Sequence, residues 1–425
     1  MSGERTFLFL QGPPGPLFRR LGQAMAERNV AVHRINISGG DRRDWSEGAV
    51  DFRGRFSEWP AFFDRYLRQH AVTDILLFGD CRPYHVSALG IAELRNVRTH
   101  VLEEGYLRPD WMTLEREGVN ARSTLGRDKH RFLREAKLLP PEPRLPPITA
   151  SFRRRARDSY WYYHRVVVGR LRYPHYRSHR VTPIILEGLG WAWKFVNEKR
   201  RARRAARILH TLVNEPKFVL PLQLSTDYQI RTHSLFPDMQ SAAIYAIESF
   251  AANAPSDVHL VLKSHPLDPS FFNWTKFVRR IAHRLHIEDR IHFVDGGDLD
   301  QMLESARGLV CVNSTSATLA LARGIPVCTI GEALYDMPGL THQEHLDTFW
   351  ANPTPPEPGV YEAFRRVLVE RSLVRGGLSS ESAVEILIGS ILERLGFNSG
   401  TNVSWPGPQV REGLDREKAL NAAGP

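Results

Sequence analysis

Cysteine is scarce: in 425 residues there are three, Cys81, Cys311 and Cys328. Three thiols make no disulfide framework, and no Cys-x-x-Cys or Cys/His ligand spacing accompanies them. A disulfide-held scaffold is excluded, and a reducing cytoplasm is the simple reading. Long apolar runs are missing as well. None approaches the roughly 18–20 residues that cross a bilayer. Phe7-Leu8-Phe9-Leu10 is too short for the apolar region of a signal peptide and reads as a first strand. There is no Gly-x-Gly-x-x-Gly fingerprint. Gly12-Pro13-Pro14-Gly15 follows the first strand, but its prolines remove N–H donors that a phosphate needs. No repeat recurs at the ~20–50-residue periods of solenoids. With 42% hydrophobic and 24% charged residues, a mostly disordered or fibrous chain is excluded too.

Positive charge is present in excess and is uneven. Lys and Arg number 57 against 47 Asp and Glu, a net +10. Nine arginines and one acid, Asp158, lie between Arg153 and Arg180, and a second run holds Lys199, Arg200, Arg201, Arg203, Arg204 and Arg207. The first run contains Tyr160-Trp161-Tyr162-Tyr163-His164-Arg165. Aromatics interleaved with cations suit an anionic membrane surface; a solvated, charge-laced helix is the plainer alternative. No nucleic-acid module accompanies the charge, so no nucleic-acid partner is expected.

The order of elements predicts α/β architecture. Strand patterns at 6–11, 30–37, 74–78 and 97–102 alternate with helical patterns at 16–28, 58–70 and 86–94. A proline-rich break covers 138–147, and the basic, aromatic stretch 151–207 reads as helical. Alternation resumes with strands at 218–222, 259–264, 291–294, 308–312 and 326–330, and helices at 239–252, 272–285, 298–305 and 317–323. Two Rossmann-like domains facing a cleft are expected: residues 1–150, a crossing segment 151–210, residues 211–397, and a flexible tail 398–425.

Ligands of open α/β sheets collect beyond the carboxyl ends of the strands, and the polar clusters fall there. Lys263-Ser264-His265-Pro266 ends one strand, where a histidine can donate to a phosphate or titrate near neutrality. Asn313-Ser314-Thr315-Ser316 precedes a helix, where hydroxyls and free N–H groups favour an anion or simply cap the helix. Gln223 through Arg231 follows another strand end and carries Asp227, a carboxylate able to act as base or nucleophile. Glu103-Glu104-Gly105-Tyr106-Leu107-Arg108 places two acids at the mouth of the first sheet. Adjacent strand residues point to opposite faces, so at most one faces a given cleft. Gly79-Asp80-Cys81-Arg82 is a further polar end on that sheet. Asp298-Leu299-Asp300 has the Asp-x-Asp form of metal-dependent sugar transferases, but Asp298 with Gln301 reads as a capping box. No metal site is expected.

Taken in order, GDCRPYH (79–85), EEGYLRPDWMTLEREGVNARS (103–123), PLQLSTDYQIRTHS (221–234), KSHPLD (263–268) and NSTSATLALARGIPV (313–327) resemble the capsule polysaccharide biosynthesis/export family, in its short KpsS-type members. The resemblance implies a GT-B glycosyltransferase, a retaining β-Kdo transferase. It would move 3-deoxy-D-manno-oct-2-ulosonic acid (Kdo) from CMP-Kdo to lyso-phosphatidylglycerol and so start the Kdo linker of a capsule. CMP-Kdo is then the donor substrate, with no cofactor and no metal. The implied location is the cytoplasm, peripheral on the inner face of a Gram-negative cytoplasmic membrane, with other capsule biosynthesis and export proteins as partners. Carried over, His265 and Pro266 match the family's His-Pro contact to the CMP phosphate, with Ser314 and Thr315 as its Ser/Thr motif. Asp227 matches the nucleophile and one of Glu103 and Glu104 the acid/base. Lys263, Asn313, Gln223, Arg231, Arg108, Asp80 and Arg82 are the accompanying substrate-binding candidates. Ala317 stands where the family's glycine is expected. The competing readings are a sialyltransferase-like CMP-sugar enzyme and a non-catalytic export or scaffold protein.

Overall fold

The computed structural model describes residues 5–140, 145–148, 151–178, 180, 184–224, 230, 233–266, 268 and 272–397. The expected tail, 398–425, and the candidates Asp227 and Arg231 lie outside the described residues.

The first sheet begins with β1 (Thr6–Phe9), whose alternate side chains bury on both faces: Phe7 and Phe9 on one, Leu8 and Leu10 on the other. Such two-sided burial is what a parallel strand covered by helices requires. Helix α1 (Leu17–Ala26) leads to β2 (Ala31–Asn36), α2 (Gly39–Asp44) and β3 (Ala49–Asp51). Helix α3 (Trp59–Gln69) then precedes β4 (Asp74–Phe78), and α4 (Pro83–Leu94) precedes β5 (Arg98–Glu104). These five strands are parallel, in the order β5-β4-β1-β2-β3. A strand absent from the sequence reading, β6 (Trp111–Arg116), runs antiparallel beside β5.

Helix α5 (Lys129–Leu138) leaves the first unit and packs on the second. Three helices follow: α6 (Phe152–Val168), α7 (Ile184–Val196) and α8 (Glu198–Thr211). The second sheet is wholly parallel: β7 (Lys217–Pro221), β8 (His259–Lys263), β9 (Ile291–Val294), β10 (Ala306–Cys311) and β11 (Val327–Thr329), in the order β11-β10-β7-β8-β9. Its helices are α9 (Met239–Asn253), α10 (Trp274–Leu285), α11 (Leu299–Leu303), α12 (Ala317–Ala322), α13 (Leu346–Phe349) and α14 (Val360–Arg371). Side-chain caps start several of them: Asp238 accepts the Ser241 N–H at 2.8 Å, and Asn273 accepts that of Lys276 at 2.9 Å. The two sheets, the first mixed and the second wholly parallel, each carry helices on both faces and form two α/β units.

The expected boundaries need correction at both crossings. β12 (Leu373–Arg375) pairs antiparallel with β6, and α15 (Glu381–Arg394) packs Val384, Leu387 and Ile391 against Leu17, Leu21 and Met25 of α1. Residues 373–397 therefore complete the first unit rather than ending the second, because their apolar face has its complement there. Conversely, Phe132 of α5 stacks edge-on against Phe364 of α14, ring centroids 5.3 Å apart. This helix, within the span 1–150 expected for the first unit, thus belongs to the core of the second. No helix among the described residues is long and apolar enough to cross a membrane.

Candidate active site

The carboxyl ends of the two sheets meet at a junction with an acidic side and a cationic side. On the first sheet, β4 ends into Gly79-Asp80-Cys81. Asp80 is fully buried; its carboxylate accepts the Val119 N–H at 3.3 Å and the Cys81 S–H at 3.2 Å. The Cys81 sulfur lies 3.9 Å from Nε2 of His233, which comes from the second unit. Burial and the neighbouring Asp80 carboxylate both push the Cys81 thiol up, so it stays protonated. Arg82 donates to the Gly12 carbonyl at 3.2 Å and covers the Phe78 ring. His85 is turned inward, with Nδ1 donating to the Gly79 carbonyl at 2.7 Å. Burial and then Arg82 lower it to about 3.

The two glutamates part as strand geometry demands. Glu104 forms an ion pair with Arg155 of α6. Glu103 stands on the other face, accepting from Asn120 Nδ2 at 3.4 Å and close enough to Cys81 and Tyr106 to raise both. Behind them lies Glu115 of β6, a buried carboxylate that sequence reasoning missed. It accepts from the Tyr106 hydroxyl at 2.9 Å and from the Ser123 hydroxyl. Burial raises Glu115 to about 7 against those hydrogen bonds, with Asp80 adding to the rise. Tyr106 also spans the junction, its carbonyl accepting from Thr318 Oγ1 of α12 at 3.1 Å.

On the second sheet, β7 and β10 end in a reciprocal pair. Gln223 Nε2 donates to Asn313 Oδ1 at 2.8 Å, and the Asn313 N–H donates to Gln223 Oε1 at 3.1 Å. Ser314 accepts the Ser316 N–H on its hydroxyl and the Tyr335 hydroxyl, at 2.6 Å, on its carbonyl. The Thr315 carbonyl takes Thr318 Oγ1 at 2.8 Å. These residues lead into α12, where Ala317 is fully buried.

One strand over, β8 delivers Lys263, Ser264, His265 and Pro266. Lys263 is buried, which lowers its pKa, and its ammonium lies 3.4 Å from the Ser264 carbonyl. Ser264 Oγ donates to Asp295 at 2.6 Å, and Asp295 is gripped through both oxygens by Arg201 of α8. His265 does not titrate near neutrality, as the sequence reading allowed. Burial first, then Arg108, Lys263 and Lys194, lower it to about 4. It is therefore a neutral N–H donor in a field of three cations. Arg108 reaches this field from the β5–β6 connection, where its Nε lies 3.4 Å from the Gly105 carbonyl. Asp298 caps α11, accepting the Asp300 N–H at 3.0 Å.

Of the described candidates, Gln223 and Asn313 are paired, Arg108 and Lys263 share the field of His265, and Glu103 and Asp80 lie beside Cys81, while Glu104 is held by Arg155 and Arg82 braces the first unit. Cys81, His233, Tyr106, Glu115 and Lys194 were not foreseen as site residues. The alternation of β6, with Met112 and Leu114 against Thr113 and Glu115, is the one local signal for the buried acid.

A family model described as capsule polysaccharide biosynthesis protein matches residues 73–378. Over 394 residues the chain is 32% identical to the capsule polysaccharide modification protein LipB of Neisseria meningitidis serogroup A, covering 90% of this chain and 93% of that one. Over 382 residues it is 31% identical to the capsule polysaccharide export protein KpsS of Escherichia coli, covering 88% and 96%. Against the solved β-Kdo 2,7 transferase KpsC of Thermosulfurimonas dismutans the TM-score is 0.41 at 12% identity, over 92% of this chain and 100% of that one.

Proposed function

The chain belongs to the capsule polysaccharide biosynthesis family, and from that premise we propose that it is a retaining glycosyltransferase moving Kdo from CMP-Kdo to a lyso-phosphatidylglycerol acceptor. The observation that carries the reading is a neutral, buried His265 in the field of Arg108, Lys263 and Lys194, with Arg108 reaching it from the connection that follows Glu103. CMP-Kdo is anionic at both its phosphate and the sugar carboxylate. Its departure needs cations and N–H donors, which act strongly where water is excluded. No divalent ion is required of such a field.

In the proposed sequence, the Asp227 carboxylate attacks the anomeric carbon, and the bond from that carbon to the phosphate oxygen breaks. CMP leaves carrying the electron pair, with His265 donating to its phosphate. The acceptor hydroxyl then attacks the same carbon, its proton passes to Glu103, and the bond to Asp227 breaks. Two inversions give retention, by analogy with retaining glycosidases. The Arg155 ion pair that occupies Glu104 favours Glu103 for the proton. Asp227→Ala is expected to abolish transfer while leaving donor binding largely intact; near-normal turnover would remove Asp227 from this role.

The acceptor is a lipid, and the helices between the units support an approach to an anionic membrane surface. Tyr160, Trp161, Trp193, Phe195 and Val196 are exposed there among arginines. The deciding experiment is mass spectrometry of the protein with CMP-Kdo generated in situ and a fluorescent lyso-phosphatidylglycerol. A product heavier by one Kdo supports the transferase. Binding of CMP-Kdo without product keeps the donor site and rejects this acceptor, leaving another CMP-sugar transferase reaction. Neither binding nor product favours the scaffold reading.

A further inference from the structure

The helix α7 is apolar through Trp191 and Val196, yet carries one buried cation, Lys194, 8% exposed. Burying an ammonium is costly unless each of its hydrogens finds an acceptor. Lys194 finds three, all backbone carbonyls of one short segment: Pro266 at 2.7 Å, Asp268 at 2.8 Å and His265 at 3.5 Å. Its charge also lies 5.4 Å from the centroid of the Trp191 ring on its own helix. From α8, Arg201 holds Asp295, and Asp295 accepts from Ser264. The helices between the units therefore grip the loop after β8 at Ser264 and again from His265 to Asp268.

We propose that Lys194 is a positioning residue of the donor site: its ammonium, held on the carbonyls of His265, Pro266 and Asp268, fixes the segment that presents His265 to the donor phosphate. This rests on the reading of His265 given above. Carbonyls tied down by a cation cannot turn toward an incoming anion, so the loop offers the phosphate its N–H side and its positive field. Arg108 from the β5–β6 connection and Lys263 from β8 share that field, and the Asp295 and Asp268 carboxylates favour the charged form of Lys194.

The test uses Lys194→Met, Lys194→Gln and Lys194→Arg in the full chain, with two readouts. The first is the titration of the His265 imidazole by NMR, without any ligand. Lys194→Met is expected to raise the His265 pKa, since a cation is withdrawn, and Lys194→Arg to keep it depressed. The second is calorimetric binding of CMP, expected to weaken about tenfold in Lys194→Met and to recover substantially in Lys194→Arg. With CMP-Kdo as substrate, the loss falls on KM for the donor rather than on kcat. Lys194→Gln, which keeps two N–H donors and loses the charge, serves where the Met variant does not fold. An unmoved His265 titration with wild-type CMP affinity in the Met or Gln variant overturns the proposal, as does an arginine variant as damaged as the methionine. If the unaltered protein neither binds CMP nor transfers Kdo, the functional reading fails. The ligand-free titration still decides whether Lys194 governs His265.

Discussion

The two sides of the junction respond to the same physics with opposite results. Burial disfavours charge, so on the first sheet it raises Glu115 to about 7 and holds the Cys81 thiol and Tyr106 hydroxyl protonated. On the second it lowers His265 to about 4 and also depresses Lys263 and Lys194. The acidic side thus has affinity for protons and hydroxyls, while the cationic side favours an anion. A transferase that removes a proton from an acceptor and stabilises a departing phosphate needs that division of labour.

The largest expected effect comes from breaking the two sides separately. Glu103→Gln should lower transfer by roughly 10²–10⁴, the usual contribution of a general acid–base group, while leaving CMP affinity unchanged. His265→Ala should do the reverse in kind, weakening CMP binding with a smaller effect on the turnover of saturated enzyme. Steady-state kinetics paired with calorimetry reads both. If Glu103→Gln weakens donor binding as much as His265→Ala does, the two sides are not functionally distinct.

The other end of β4 sharpens the comparison. Asp74 opens that strand, is fully buried, and takes hydrogen bonds from Arg5, Arg98, His100 and Thr73 at 2.7–3.2 Å. Burial alone would raise its pKa, but those partners hold the carboxyl far below the usual range. Every lone pair is used, so this edge fixes the fold and has nothing left for a ligand. Asp74→Asn should cost about 3 kcal/mol of stability, measured by urea unfolding, with activity per folded molecule unchanged.

Glu115 gives a smaller, pH-dependent effect of the opposite sign. Its folded pKa lies above its unfolded value of 4.5, so its contribution is complete below that value. It is lost as pH rises toward about 7, amounting to roughly 2–3 kcal/mol. Glu115→Gln, which keeps a hydrogen-bonding amide, should flatten the fall in stability between pH 4.5 and 7 in denaturant titrations. An unchanged slope would mean that Glu115 is ionised throughout.

What was legible in the chain was local. Strands such as β1 and β4 announce themselves by apolar runs ended by glycine, and His265, Asn313 and Asp80 do stand just beyond strand ends, where ligands of such sheets gather. Three features were not legible, each because its cause is distant in sequence. β6 was overlooked because one of its two buried faces carries Thr113 and Glu115, polar residues, with Glu115 held by hydrogen bonds from Ser372 and Tyr106. Residues 373–397 were assigned to the wrong unit because the surface for Leu387 and Ile391 is supplied by α1 and the first sheet, some 270–380 residues earlier. Lys194 reads as one more cation in a basic stretch until the loop after β8 closes around it.

The smallest effect concerns the basic helices outside the junction, and it separates two uses of positive charge. Lys194 and Arg201 face inward and are spent on Asp295 and backbone carbonyls. Arg203 and Arg204 of α8 are exposed, with no fixed geometry to enforce, so their contribution to a lipid surface is additive and screened by salt. Replacing both by Gln should weaken sedimentation with phosphatidylglycerol vesicles by about 1 kcal/mol per arginine at moderate ionic strength. Binding to neutral vesicles, the His265 titration and CMP affinity should all stay fixed. A loss of CMP affinity in this variant would show that the outward arginines feed the donor field as well, and the separation between surface charge and site charge would collapse.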